Sequence, residues 1–366
     1  FKQKTAYEIS LGLVGSEMCI RDRVNPPLIG KNLTDLKEIC EKHGVESFRA
    51  KQLFNWLYSN DINGFNELTN LPKELINTLK LDHCIHPLEF VQSTKSNSEL
   101  TNKFLFKTSS GSLIESVLMN EGNRVTLCLS TQVGCALDCK FCATAKMGFK
   151  ENLNSGEILD QYLLIRQKVK KPITNIVFMG MGEPFLNYKN VIKAAHLLHS
   201  PDGINMSTKR ITISTAGVIS KIKRFTKEKE KFKLAISLNG TTNEQRSLIM
   251  PITLKNSLDD LLDASKKYTE SSNRWLTFEY VLLKERNDTV EDANRLITLL
   301  TEVQRCKLNV IPYNEIDGEF QRPNQNQIQA FMNKLRLARF PVTIRWSKGT
   351  DIDAGCGQLA IKNNSM

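Results

Sequence analysis

The spacing of apolar residues divides the chain into three stretches. From about residue 25 to residue 90 apolar side chains recur every three or four positions. FRAKQLFNWLY (48–58) and LPKELINTL (71–79) each read as a one-sided helix, the second with a proline suited to a first turn. Residues 91–124 change to strands with polar turns, and KFLFKTSSGSLIESVLM sets a Ser-Ser-Gly turn between two apolar segments. After that, strands and helices alternate. The predicted strands are VTLCLS (125–130), NIVFMG (175–180), RITISTAG (210–217), FKLAISLN (232–239), WLTFEYVLL (275–283) and KLNVIPYN (307–314). GEILDQYLLIRQKV (156–169), YKNVIKAAHLLH (188–199) and TVEDANRLITLLTEV (289–303) are among the helices between them.

Six β/α units in a row predict a parallel sheet. Short units with charged outer helical faces suit a partial (β/α)6 barrel of the TIM type better than a wide open sheet. FPVTIRW (340–346) is a candidate closing strand. The expected organisation is a helical accessory unit over 24–90, a β-rich connector over 91–124, the α/β core over 125–350 and a C-terminal loop over 351–366. FKQKTAYEISLGLVGSEMCIRDR (1–23) fits none of these patterns. It looks like translated adaptor sequence and is set aside with its Cys19.

Composition narrows the class. Apolar residues make up 40% and charged residues 24%, a globular balance. No apolar run approaches the length that crosses a bilayer, and no secretory signal is evident, so the expectation is a cytoplasmic protein without a membrane partner. In a reducing compartment the nine cysteines point to metal or redox chemistry before a disulfide framework. The net charge of +11 favours a polyanion partner as readily as it favours a merely soluble surface. Residues 1–23 carry four basic and three acidic side chains, so without them the charge is still +10.

In a parallel α/β fold, function collects at the carboxyl ends of the strands. The unusual motifs fall there. VGCALDCKFCATA (133–145) follows the first core strand and places Cys135, Cys139 and Cys142 in a Cys-x3-Cys-x2-Cys array. Met-Gly-Met-Gly-Glu-Pro (179–184) follows the second, with Gly182 and Glu183. Ser214, Ser237 to Asn239, and Asn314 end the third, fourth and sixth. A structural zinc site is closed by four ligands. Three thiolates in eight residues suit a [4Fe–4S] cluster with one iron left open to a small molecule. Cys128, inside the first strand, reads by itself as a small buried residue. Cys356, between Gly355 and Gly357 in GTDIDAGCGQLA (349–360), lies in a loop that brings a thiol close to something.

The cysteine spacing resembles that of the radical S-adenosylmethionine superfamily. LIES (113–116), LCLSTQVGCALDCKFCATAKMGF (127–149), MGMGEPFLN (179–187), ISTAGV (213–218), LAISLNG (234–240), FEYVLL (278–283), NVIPYN (309–314) and DIDAGCGQLA (351–360) resemble, in order, the dual-specificity ribosomal and transfer RNA adenine-C2 methyltransferases. The likeness runs from about residue 25 to the C-terminus. It implies that Cys135, Cys139 and Cys142 hold the cluster. It implies that Gly182, Glu183, Ser214, Ser237, Leu238, Asn239 and Asn314 contact S-adenosylmethionine, two molecules of which are used per turnover. The family pattern has histidine where Asn239 stands.

The resemblance further implies that Cys356 accepts a methyl group, that this S-methyl loses hydrogen to a 5′-deoxyadenosyl radical, and that its carbon then bonds carbon 2 of adenine. Glu115 accepts the displaced proton. Cys128 attacks Cys356 to release the product and leave a transient disulfide. The implied partners are ribosomal RNA, transfer RNA, and a reductant for cluster and disulfide. Two alternatives stay open: methylation at carbon 8 by the antibiotic-resistance branch, and a zinc-stabilised RNA-binding protein without catalysis.

Overall fold

The computed structural model describes residues 25–98, 100–316 and 318–361, so the segment 1–23 lies outside it. Three helices come first: Leu33–Lys42 (α1), Phe48–Ser59 (α2) and Lys73–Asp82 (α3). Asn32 opens α1 with a capping box, its side chain accepting from the Asp35 amide while the Asp35 carboxylate accepts from the Asn32 amide, both at 2.9 Å.

A single sheet of ten strands follows, with a two-stranded ribbon beside it. Its strands are Glu89–Lys95 (β1), Thr101–Lys107 (β2), Leu113–Glu121 (β3), Arg124–Cys128 (β4), Asn175–Phe178 (β7), Ile211–Thr215 (β8), Lys233–Ser237 (β9), Leu276–Leu282 (β10), Cys306–Pro312 (β11) and Val342–Ile344 (β12). Gln132–Gly134 (β5) and Phe149–Asn152 (β6) form the ribbon. The strands lie in chain order. The pairs from β1 to β4 are antiparallel. All later pairs are parallel.

Parallel strands laid in strict chain order, each joined by a right-handed crossover, put their helices on one face. The sheet then curls around its other face. A doubly wound sheet would instead reverse its order at a switch point. Among the described residues the edge strands β1 and β12 do not pair with each other, so the barrel is partial. β12 falls inside the expected closing segment. The stretch expected as a connector, β1–β3, is the antiparallel end of the same sheet and does not stand apart from it.

The crossover helix Ser155–Arg166 (α4) carries the N-terminal unit. A Cβ on Gly156 would lie 2.4 Å from the Ile29 carbonyl oxygen, so glycine there permits the close approach. Arg166 bonds the carbonyls of Tyr58 and Asn60 at 3.0 and 2.7 Å. His86 meets Asp160 of α4 at 2.6 Å.

At the other end, the segment after β12 crosses to β1–β3. Lys348 pairs with Glu121 at 3.0 Å, and the Asp351 carboxylate accepts from the Asn97 amide at 2.7 Å. This carries the C-terminal loop over the strand ends. Among the described residues no helix is long and apolar enough to cross a membrane.

Candidate active site

A cavity of about 180 Å³ opens at the carboxyl ends of the parallel strands. Cys128, Cys135, Cys139, Cys142 and Cys356 all line it, although 214 positions separate Cys142 from Cys356. Gly182, Glu183, Ser214, Ser237, Asn239 and Asn314 line it too.

The cysteine loop hangs from the β5–β6 ribbon, which the strand pattern did not reveal. Gly134 adopts φ +73°, and a Cβ there would sit 1.7 Å from the Gly148 carbonyl oxygen, so only glycine lets the ribbon close. The Cys135 amide donates to Gly148 at 3.0 Å, and the Lys140 amide donates to the Ile249 carbonyl at 3.0 Å. These bonds fix both sides of the loop. Burial pushes the Cys135 thiol up to about 12, with Glu183 and Cys142 adding to the rise. Burial raises Cys139 well above an ordinary thiol, and Cys142 and Cys135 add to that. Neighbouring thiols that resist ionising together need a cation to become thiolates.

Glu183 lies at the floor. Its Oε1 accepts from the Phe185 amide at 2.9 Å and its Oε2 from the Ala216 amide at 2.7 Å. The carboxylate thus ties the β7 loop to the end of β8. The Thr215 side chain also hydrogen-bonds the carboxylate, which leaves one lone-pair position for an ammonium group. Gly182 stands at φ +97°, where a Cβ would come within 2.5 Å of the Gln132 Cβ. Gln132 in turn accepts from the Glu183 amide at 2.7 Å.

Asn239 also has a left-handed backbone, φ +54°, a conformation that asparagine tolerates better than most residues. Its Oδ1 accepts from the Val281 amide at 2.8 Å, and its Nδ2 meets the Met250 sulfur at 3.3 Å. The side chain therefore joins β9 to β10 as well as lining the cavity. Leu238 is fully buried and does not line it. Its amide donates to the Glu279 carbonyl at 2.8 Å.

Glu115 does not line the cavity either. It shares a face of β3 with Val117 and Met119, which do. Its carboxylate pairs with Lys103 at 2.9 Å and lies beside the Ala360 backbone. Burial raises its pKa, and Lys103 opposes the rise. The C-terminal segment stands between this carboxylate and the open space.

Cys356 is solvent-accessible inside the cavity, though deep among protein atoms. Its carbonyl accepts from Asn314 Nδ2 at 2.9 Å. The Gly357 carbonyl accepts from the Ala143 amide at 2.7 Å, and the Leu359 carbonyl from the Thr144 hydroxyl at 2.5 Å. The segment thereby docks on the cysteine loop. Cys128 is buried, and its thiol is pushed up to about 12 by burial and by the proximity of Cys356. Both are free thiols.

Two residues on the cavity wall and one beneath it escaped the sequence reading. Arg246 is fully buried, donating to the carbonyls of Leu238, Ala216 and Ser237 at 2.8, 2.5 and 3.2 Å and to the Thr253 hydroxyl at 2.7 Å. It pins the ends of β8 and β9 below the cavity. Glu279 of β10 and Arg345 beyond β12 line the wall near the two lone thiols. A charged residue inside an apolar strand run, as in LTFEYVL, was the available signal for Glu279.

The site fits an iron–sulfur cluster with S-adenosylmethionine. No three Cys, His, Asp or Glu side chains among the described residues converge as a single-ion site. Three thiols spread along one wall suit a cluster in which each serves a different iron. Asn314 Oδ1 is buried without a hydrogen-bond partner on the cavity wall, an acceptor position that a bound ligand would satisfy.

Comparison with known proteins agrees with this. The model of the radical SAM superfamily matches residues 129–297. The model of the ribosomal RNA large subunit methyltransferase N-terminal domain matches residues 27–85. A protein of Pseudothermotoga lettingae named probable dual-specificity RNA methyltransferase RlmN is 41% identical over 320 residues, covering 87% of this chain and 93% of the relative. The dual-specificity RNA methyltransferase RlmN of Geotalea uraniireducens is 41% identical over 332 residues, covering 90% and 95%. The crystal structure of a radical SAM methyltransferase from Sphaerobacter thermophilus superposes with a TM-score of 0.88 at 38% identity, covering 91% of this chain and 99% of that one.

Proposed function

The chain belongs to the dual-specificity RNA methyltransferase family of the radical SAM superfamily, and on that premise we propose that it methylates carbon 2 of adenosine in large-subunit ribosomal RNA and in transfer RNA. The observation that carries this reading is the shared cavity of Cys128, Cys356 and the three-cysteine loop. Carbon 2 of adenine is electron-poor and cannot attack a methyl sulfonium as an amine does. A carbon radical held on a protein sulfur avoids that barrier.

Cys135, Cys139 and Cys142 would hold the cluster, and Gly182, Glu183, Ser214, Ser237, Asn239 and Asn314 would surround S-adenosylmethionine. Leu238 would contribute only through its backbone. When bound, these groups supply a methyl cation equivalent from one S-adenosylmethionine and a hydrogen-abstracting 5′-deoxyadenosyl radical from a second. Cys356, whose thiol is accessible in the cavity, receives the methyl group. After that methyl loses a hydrogen atom, its carbon bonds carbon 2 of the base. The adduct gives up its carbon-2 proton and one electron, for which the cluster that Cys135, Cys139 and Cys142 would hold would be the acceptor. Glu115 accepts the proton once segment 354–360 shifts away from it.

The Cys128 thiolate then attacks the Cys356 sulfur. The S–S bond forms as the S–C bond breaks, the electron pair leaves with carbon, and protonation completes the methyl group. A thiol reductant, as a reducing cytosol supplies, resets the disulfide. The RNA must present an unstacked adenosine, which loop sites permit at the least cost.

The test separates the two lone thiols. Cys356→Ala should show neither protein-bound methyl nor methylated RNA. Cys128→Ala should reach the covalent adduct and stall there. Denaturing electrophoresis should show a slower band that nuclease removes. Normal product release by Cys128→Ala, or methylation by Cys356→Ala, would end the two-thiol mechanism. Nucleoside mass spectrometry then identifies the methylated carbon, and iron and sulfide analysis of anaerobically purified protein excludes a zinc-stapled binder.

A further inference from the structure

We propose that Glu279 and Arg345 read the Watson–Crick edge of the target adenine and turn its carbon 2, and not its carbon 8, toward Cys356. The assignment rests on the methyltransferase reading above.

The parallel register aligns polar residues across the inner face of the barrel. Ser237 of β9 stands opposite Glu279 of β10, Glu279 opposite Asn309 of β11, and Asn309 opposite Thr343 of β12. Side chains in one such row point the same way. Arg345 is two residues beyond Thr343 and shares its side, and its amide donates to the Val310 carbonyl at 2.8 Å, which continues the strand. Thr343 donates to Asn309 Oδ1 at 2.6 Å, and Asn309 hydrogen-bonds the Glu279 carboxylate. The carboxylate is therefore held from one side.

Its other side faces Arg345 without closing on it. The nearest approach, Nη1 to Oε1, is 3.9 Å, longer than a hydrogen bond. A carboxylate whose side chain is 7% exposed, beside a guanidinium side chain that is 42% exposed, is an incomplete pair. A structural ion pair gains from bidentate contact, and this one has none. The arrangement presents an acceptor and a donor side by side on a cavity wall.

Adenine offers the complement. Its edge carries the N6 amino donor, then the N1 acceptor, then carbon 2. With N6 on Glu279 and N1 on Arg345, the next ring atom is carbon 2. Carbon 8 then lies on the far side of the base. Guanine presents an acceptor and a donor in the reverse order, so its O6 would meet the carboxylate. A flipped base is commonly read along this edge. Glu279 and Arg345 also lie close enough to Cys128 and Cys356 for their charges to act on both thiols, which puts the carbon beside them next to the sulfur.

Full-length protein, reconstituted with its cluster, is assayed on a stem-loop RNA carrying adenosine, purine riboside (no N6 amine) or 1-deazaadenosine (no N1) at the target. Loss of one charge-assisted hydrogen bond should lower kcat/KM of the wild-type protein about 10–100-fold on each analogue. Glu279→Leu should lose the preference for adenosine over purine riboside, and Glu279→Gln, which keeps an acceptor, should regain part of it. Arg345→Met should lose the preference over 1-deazaadenosine, and Arg345→Lys should regain part.

Wild-type protein that treats the analogues as adenosine overturns the assignment, whether or not the variants fold. Variants that keep full discrimination overturn it as well. The mass of the intact protein before RNA is added separates the two readings. A wild-type protein with no methyl on Cys356 defeats the two-thiol reading. A methylated one whose variants still discriminate defeats only the role of Glu279 and Arg345.

Discussion

Asn314 donates to the Cys356 carbonyl at 2.9 Å while its Oδ1 remains buried and unpartnered on the cavity wall. One amide at the exit of β11 thus restrains the loop of Cys356 and leaves an acceptor for a ligand. The same Nδ2 also reaches the Ser347 hydroxyl at 2.7 Å.

Asn314→Asp has the same shape but no donor. The hydrogen bond to the Cys356 carbonyl is lost, whereas the Ser347 hydroxyl can donate to the carboxylate instead; stranding that carbonyl against a carboxylate costs about 1–3 kcal/mol. Amide exchange over residues 354–360 and alkylation of Cys356 should accelerate by roughly tenfold or more. Unchanged rates would mean that Asn314 does not restrain the loop.

Gly182→Ala should disturb the cradle beside the cysteine loop. A side chain in the left-handed region costs about 1–2 kcal/mol, and its Cβ must displace Gln132, which holds the Glu183 amide. Thermal unfolding should shift downward by several degrees, on the order of 2–4 °C per kcal/mol for a domain of 150–250 residues. Binding of S-adenosylmethionine, read by calorimetry on the anaerobic holoprotein, should weaken with it. A variant unchanged in both would show that the φ at this position is not required.

Arg246→Met should destabilise the strand ends. It strands the buried carbonyls of Ala216 and Leu238 and the half-buried carbonyl of Ser237, at a cost of about 3 kcal/mol. Arg246→Lys keeps the charge without the fork and should fall between wild type and methionine in equilibrium urea unfolding. A lysine variant as stable as the wild type would argue that charge alone suffices there.

His86 should make the seating of the N-terminal unit pH-dependent. Its Nδ1 lies 2.6 Å from the Asp160 carboxylate and its Nε2 lies 2.8 Å from the Ile62 carbonyl. Only the imidazolium can donate to both. Burial opposes the charge, but these acceptors raise the pKa of His86 above its ordinary value. The folded state therefore binds this proton more tightly than the unfolded chain. Its stabilisation is complete below about pH 6.5 and is lost as pH rises through the folded pKa. The stability gap between wild type and His86→Gln should be widest near pH 6 and should shrink toward pH 9. A gap that widens with pH would reverse the assignment.

The core elements were largely legible in the sequence because their signals are local. YKNVIKAAHLLH appears as the helix Tyr188–His199 at its predicted bounds, and each of the six predicted core strands appears with both ends within two residues of its predicted bounds. The thiols of the cysteine array, Cys128 and Cys356 were also visible, because residue type and spacing identify a thiol without its surroundings.

Tertiary structure decided what those residues touch. Strand register puts Glu279 beside Asn309 and near Arg345, although 66 positions separate Glu279 from Arg345 along the chain. The terminal segment covers Glu115, and the Arg246 fork collects carbonyls from two strand ends. β1–β3 join the main sheet because their free edge at β3 meets β4 in antiparallel register. Periodicity reports which face of an element is buried. It carries no record of which distant face will cover it, since that choice is made by crossovers, register and close packing between elements remote in sequence.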